Sequence, residues 1–341
     1  MTAGAARVLE LLRGAPGRRL SGEELSRVLG VSRAQVWKHV ETLRSRGYRI
    51  DGTPGGGYRL VAVPDRLHPE ELQAGLATRW LARRIHHHER LDSTNTRALE
   101  LARAGEPHGT VVIAEGQTAG RGRLGRSFFS PPYTSLYTSI ILRPDLPLAE
   151  APTLVLASAV AVAEAVAAEA GPAARVEIKW PNDVLIAGRK TSGILMELGA
   201  EGARIDHVVM GIGVNLNLLR SDLPEEFRHR ATSLAAELGR PVDRIAFTRR
   251  LFGTLEEVLD AHASDGFDAI RSRFESRSAL TGRSVRVEGG PGEEIRGVAL
   301  GLDRDGALLV APPGAPRRRV LAGDVVLVRE TTEPSFEEEP A

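Results

Sequence analysis

Apolar positions recur at helical spacing three times near the start of the chain. Val8, Leu9, Leu11 and Leu12 mark a short helix over 6–12. Leu25, Val28 and Leu29 mark the inner face of a second helix, which Ser21 can cap with Glu24 as its capping-box partner and which Gly30 ends. Ser32 opens a third, predicted through Arg46, with Val36, Val40 and Leu43 facing inward. Only Leu29-Gly30-Val31-Ser32 separates the last two, the spacing of a helix-turn-helix. Tyr48-Arg49-Ile50 and Tyr58-Arg59-Leu60 then flank the turn Thr53-Pro54-Gly55-Gly56-Gly57, a hairpin that completes a winged helix over 1–63.

Farther along, residues 61–69 carry Pro64 and Pro69 and few apolar side chains, which predicts a connector, then a helix from His68 to about Leu81. A strand is expected over 84–91. The longest apolar stretch, 154–170, is alanine-rich and interrupted by Ser158, Glu164 and Glu169, so it reads as a buried helix rather than a membrane span. Residues 245–274 are helical in pattern. Short strands are expected over 284–287, 296–300, 307–310 and 324–328, and their close spacing suggests a small SH3-like β-barrel over 276–330. Residues 331–341, with four Glu and two Pro, read as a disordered acidic tail.

Composition narrows the chemistry. The absence of cysteine excludes disulfides, thiolate metal sites and a cysteine nucleophile. The N-terminus lacks a basic start followed by an apolar core, so a soluble cytoplasmic protein with no membrane partner is expected. Residues 1–66 hold twelve cations and six anions, although the whole chain carries only +1. That imbalance fits a polyanion-binding module. Arg33, Gln35, Lys38 and His39 are the candidates to read bases in a major groove, and Arg49 and Arg59 on the wing to meet phosphates. The other reading of the module is protein contact. Trp37 is expected to pack. His86 and His88 share a face of the predicted strand, but no third ligand is spaced to close a metal site.

The 45 cations include only three Lys: Lys38, Lys179 and Lys190. In a chain that writes Arg nearly everywhere, Lys179 and Lys190 beside Trp180 and Asn182 suggest a site that wants a compact ammonium. Four segments rich in glycine or asparagine stand at strand or loop boundaries: Leu91-Asp92-Ser93-Thr94-Asn95; 115–126, containing Gly120-Arg121-Gly122-Arg123-Leu124-Gly125-Arg126; Lys179-Trp180-Pro181-Asn182-Asp183 with 188–195; and 211–217. In the second, the glycines free backbone N–H groups to face a ligand. Three guanidiniums within six residues should repel one another until an anion orders them. The same string is also compatible with a flexible basic surface loop. It is not a Walker loop.

Together and in this order, the four segments closely resemble those of the biotin protein ligases. With the winged helix in front, the resemblance is to the bifunctional ligase–repressors of that family, and it runs from about Arg7 to Arg329. It implies a multidomain α+β protein: a winged helix-turn-helix, a linker and helix over 64–80, a biotin/lipoyl-ligase-type α/β catalytic domain with a mixed sheet over 81–275, and the C-terminal SH3-like barrel. It implies a two-step acyl transfer, in which biotin and ATP give biotinyl-5′-AMP, and a lysine of a biotin carboxyl carrier domain then takes the biotin. Ser93, Thr94, Asn95 and Gln117 would serve biotin's ureido ring, with Arg121, Gly122, Arg123, Lys190 and Gly193 completing its site. Gly120, Arg121, Arg123, Arg126, Lys179, Asn182 and Asn215 would hold the nucleotide, and Mg²⁺ would come bound mainly to its phosphates. Arg123, Asp183 and Lys190 would be catalytic, Asp183 orienting the acceptor amine. Homodimerisation on adenylate binding, and binding of the dimer to operator DNA, would follow. One departure is Phe128-Phe129, where many family members carry Trp. Two competing functions remain: a regulator that senses biotin without ligating it, and a ligase for lipoate.

Overall fold

A computed structural model describes residues 1–53, 55–201, 204–290 and 293–328. The predicted acidic tail lies outside the described residues. The chain divides into two compact units, 1–66 and Leu67 onward.

In the first unit, α1 (Ala3–Arg13), α2 (Gly22–Leu29) and α3 (Arg33–Ser45) precede a hairpin of β1 (Arg49–Thr53) and β2 (Gly57–Ala62). Val8, Leu9, Leu12, Leu25, Val36, Val40, Leu43 and Ile50 form its core. Ser21 Oγ accepts the Glu24 N–H at 3.0 Å and Ser32 Oγ the Gln35 N–H at 3.1 Å. Gly30, at φ 66°, closes α2 in the left-handed conformation that favours glycine. Three expectations are corrected. The Glu24 carboxylate is engaged by Arg18 rather than completing a capping box. Val28 is exposed, because only the i, i+4 ridge of Leu25 and Leu29 meets the core. Trp37 does not pack: it is 53% exposed.

The second unit starts inside its own core, since Leu67 is fully buried. The predicted helix to Leu81 is only α4 (Pro69–Gln73). Ala74 leaves the helical conformation and Gly75 follows at φ 94°. Next come β3 (Ile85–Leu91), α5 (Thr94–Arg103), β4 (Val111–Gln117), β5 (Leu136–Leu142), α6 (Ala151–Ala170), β6 (Val176–Lys179), β7 (Asp183–Ile186), β8 (Arg189–Glu201) and β9 (Arg204–Val214). They form one mixed sheet in the order β3-β4-β5-β9-β8-β7-β6, parallel only between β3 and β4.

Both faces of this sheet are covered. Val112, Ile141 and Val209 of three neighbouring strands pack against α5 through Ala98, Leu101 and Ala102. The alternate residues Val111, Ile113, Ile140, Val208 and Met210 join the main core with α6. The fully apolar runs of β4 and β5 are the consequence of this two-sided burial. α6 is long and apolar enough to cross a membrane, but it lies mostly inside this core.

The sheet is followed by α7 (Leu234–Leu238), α8 (Arg244–Asp265) and α9 (Asp268–Glu275), the last two separated at Gly266 with φ 71°. Then β10 (Ser284–Gly290), β11 (Glu293–Leu302), β12 (Leu308–Ala311), β13 (Arg318–Val320) and β14 (Asp324–Leu327) form an antiparallel sheet in the order β13-β12-β11-β10-β14. Among the described residues no pairing of β13 with β14 closes it into a barrel. β13, only three residues of Arg-Arg-Val, carried no strand signal in the sequence.

Candidate active site

The glycines of β8 and β9 make the space. Gly193 pairs with Gly213 and Leu195 with Gly211 across the two strands. Gly211 and Gly213 continue the face that Val209 turns toward α5, so the side chains stop where a pocket begins. A Cβ on Gly211 would stand 2.1 Å from Asn95 Oδ1, and one on Gly213 2.6 Å from the Phe128 ring.

A polar rim closes the inner pocket. Thr94 and Asn95, in the first turn of α5, are buried. Ser139 Oγ donates within reach of both Thr94 Oγ1 (2.8 Å) and Asn95 Oδ1 (2.6 Å). Gln117, at the end of β4, accepts the Thr94 N–H at 2.8 Å and donates to Ser130 Oγ at 2.9 Å. Asn95 Nδ2 donates to Glu197 Oε2 at 2.8 Å, and Arg121 pairs with the same oxygen at 2.8 Å. All nine residues assigned to biotin from the sequence line this pocket.

Beyond it lies an outer cleft of about 1260 Å³, reaching from the arginine segment to β14. Gly122, Arg123, Phe128, Asn182 and Lys190 line both spaces, so the two are continuous. Arg126, Lys179, Asp183 and Asn215 line the outer cleft only, and Arg121 the inner pocket only. Gly120 lines neither: it is buried, and its backbone oxygen accepts the Phe128 N–H at 2.8 Å.

The mutual repulsion of the arginine segment, which Arg123 still feels from Arg126, is offset in this fold by partners from the chain itself. The segment is a hairpin, with the Gly122 N–H on Arg126 O at 2.7 Å, and each guanidinium has a partner from its own chain. Arg121 meets Glu197, Arg123 meets Asn182 Oδ1 at 3.1 Å, and Arg126 meets Asp324 at 2.5 Å. Burial pulls the Arg123 guanidinium below its ordinary value, against the fields of Asp183 and Asp324. Burial pushes the Asp324 carboxyl up, but the hydrogen bond from Arg126 and the charges of Lys179, Arg126 and Arg123 outweigh it and hold it below its ordinary range. Lys190 Nζ lies 2.6 Å from Asp183 Oδ1. Sequence reasoning missed Glu197, Ser139 and Asp324. Glu197 lies only two residues past Leu195, whereas nothing in the sequence ties Asp324 to Arg126.

In the winged-helix unit, Arg33, Lys38 and Arg49 are exposed, Gln35 and Arg59 partly so. Arg33 pairs with Glu23 at 2.6 Å and Arg59 with Asp51 at 2.9 Å. His39 differs from the other candidates: it is buried, against Gly4. The histidine run divides between the two faces of β3. His86 turns to Glu106 at 3.3 Å, whereas His87 joins His68 and Glu89.

Residues 88–215 match the biotin/lipoate A/B protein ligase family, residues 5–59 an HTH domain, and residues 281–328 the biotin protein ligase C-terminal domain. The chain belongs to the biotin protein ligases that carry an N-terminal HTH domain. It is 39% identical over 303 residues to the bifunctional ligase/repressor BirA of Bacillus subtilis, covering 89% of this chain and 92% of that one. It is 35% identical to BirA of Escherichia coli, over 86% of this chain and 88% of the relative. Among solved structures, the biotin protein ligase of Aquifex aeolicus in complex with biotin and ATP is 31% identical. It superposes with a TM-score of 0.61 over 72% of this chain and 99% of that one.

Proposed function

We propose that this chain activates biotin with ATP to biotinyl-5′-AMP and pyrophosphate, transfers the biotin to a lysine of a biotin carboxyl carrier domain, and represses transcription through its winged helix. The observation that carries the enzymatic reading is the continuity of a small polar pocket with a large cationic cleft through Arg123, Asn182 and Lys190. Biotin's ureido ring, with donors and acceptors on one edge, suits Thr94, Asn95, Gln117 and Ser93. Its carboxylate would then point at the shared residues, where the α-phosphate arrives from the cleft.

Two anions approaching each other repel, and Arg121, Arg123 and Lys190 offset that repulsion in a partly desolvated site. Holding both reactants there also supplies orientation and shields the mixed anhydride from water. Arg126, Lys179, Asn182 and Asn215 hold the nucleotide. Asp183, on the outer cleft, orients the incoming amine and takes its proton. With Asp183 and Asp324 engaged by Lys190 and Arg126, Mg²⁺ would be held mainly by the phosphates rather than by a protein cage, and would supply positive charge there. The C-terminal sheet is read as an SH3-like element that walls the cleft through Asp324.

Arg33, Gln35 and Lys38 would read the operator, with Arg49 and Arg59 on its phosphates. Adenylate-linked pairing of two copies would match two half-sites, and residence would be cytoplasmic. Incubating the protein with biotin, ATP and an apo carrier domain tests the chemistry: biotinylated carrier is expected, and its absence leaves only a ligand-sensing regulator. Competition by lipoate, whose dithiolane offers nothing to the polar rim, should fail.

A further inference from the structure

We propose that His68, His87 and Glu89 form a binding site for one divalent transition-metal ion of the borderline class, such as Zn²⁺. Their candidate ligand atoms all lie within 4.8 Å of one another. Two imidazoles and a carboxylate are a donor set that such ions prefer, with a further position left for water.

The fold brings the three together for plain reasons. His87 and Glu89 stand two apart on β3, so their side chains share a face. His68, at the N-terminus of α4, is delivered to that face because Leu67 is anchored in the core and its N–H bonds to Glu115 at 2.7 Å. The His68 and His87 rings meet edge to face with centroids 4.8 Å apart. His86 belongs to the opposite face and pairs with Glu106, which is why the run of three histidines does not act as one cluster.

The surroundings hold the donors in place. Glu115 Oε1 lies 3.2 Å from His87 Nε2, and a carboxylate that fixes an imidazole's orientation is a common companion of a metal ligand. Glu115 is itself pinned by Arg244 at 2.6 Å. Glu89 accepts the Tyr133 hydroxyl at 3.0 Å. His68 is buried and His87 nearly so, whereas Glu89 is exposed and leaves a route from solvent. None of the three lines the pocket or the cleft, so the ion would tie the 67–69 segment to β3 rather than act on substrate.

The test is titration of the metal-stripped full chain with Zn²⁺ and Co²⁺, followed by calorimetry and by the visible absorption of bound Co²⁺. One ion per chain is expected, with a Zn²⁺-dependent rise in unfolding temperature. Glu89→Gln changes an exposed side chain and should fold, as a wild-type rate of carrier biotinylation would verify. It should bind at least about tenfold more weakly. His68→Ala should abolish the Co²⁺ spectrum, and the double variant His86→Ala/His88→Ala should keep it. Absence of binding to the wild type, or binding that survives Glu89→Gln and His68→Ala undiminished, or that is lost with His86 and His88, would overturn the proposal.

Discussion

The Lys190 ammonium stands 2.6 Å from the Asp183 carboxylate, at the place where the start of β7 runs beside β8. Lys190 lines both the inner pocket and the outer cleft, and Asp183 only the cleft. On the proposed mechanism, the cation that would offset two meeting anions and the carboxylate that would receive an amine are thus in contact, though they would serve different steps. A negative α-phosphate drawing Lys190 toward itself would release Asp183 for the second step.

Lys190→Ala should therefore lose most adenylate formation while folding normally, because Lys190 is partly exposed and its strand bonds are backbone ones to Arg230 and Thr232. A drop on the order of 10²–10³-fold is expected. Single-turnover pyrophosphate release checks it, with circular dichroism as the control on folding. A variant that forms biotinyl-AMP at the wild-type rate would remove Lys190 from the mechanism.

Asp183→Asn should divide the two steps. Adenylate formation is expected to survive within a few-fold, and transfer to the carrier lysine to slow by about 10²-fold or more. The loss should shrink as pH rises and the acceptor amine deprotonates unaided. Equal slowing of both steps would instead assign Asp183 to holding Lys190 in place.

The sequence carried the local chemistry well. The arginine string, the Lys190 segment and Asn95 are contiguous motifs, and side chains a few residues apart share a loop whatever the remainder of the chain does. Caps at Ser21 and Ser32 were legible for the same reason. What stayed hidden was long-range. Asp324 reaches Arg126 across 198 positions, and no local pattern encodes that distance. His39 looked like a base reader from its place on α3, but burial against Gly4 is a tertiary fact. The His68–Leu81 segment kept helical composition, but the chain leaves the helix at Ala74, just before the left-handed Gly75.

Gly213→Ala should close the inner pocket, since the new Cβ would stand 2.6 Å from the Phe128 ring. Biotin's KM is expected to rise more than about tenfold, while KM for ATP changes little, because Gly213 lines the inner pocket and not the outer cleft. Adding Phe128→Ala to the same chain should recover part of the loss. If equilibrium binding of biotin is unchanged in Gly213→Ala, Phe128 does not bound the vitamin's site.

Glu115 is fully buried and holds Arg244, His87 and the Leu67 N–H. Burial pushes its carboxyl up, yet these three partners outweigh that and bring it down to about 2. A group whose value is depressed on folding stabilises above its unfolded value, near 4.5, and loses that contribution as pH falls toward 2. Glu115→Gln should cost about 3–5 kcal/mol at neutral pH, by leaving Arg244 buried without its counter-charge. Denaturant unfolding from pH 7 to pH 3 should show wild type and variant converging. A gap that stays constant over that range would mean that the charge of Glu115 is not what stabilises the fold.

On α3, Lys38 and His39 are neighbours with opposite fates: Lys38 is exposed, and His39 is buried against Gly4. Their substitutions should separate binding from folding. Lys38→Ala is expected to weaken operator binding and, if the ammonium meets a phosphate, to lower the salt slope of binding by about one. If it meets a base, the slope should hold and discrimination at one position should relax by about 1–3 kcal/mol. Stability should not move in either case. His39→Ala should instead destabilise the winged-helix unit by roughly 1–3 kcal/mol, with DNA affinity falling only as the folded fraction falls. Titration of labelled operator DNA at several salt concentrations, beside thermal unfolding of both variants, decides between them. A His39 variant that unfolds like wild type but binds operator poorly would return that imidazole to the interface.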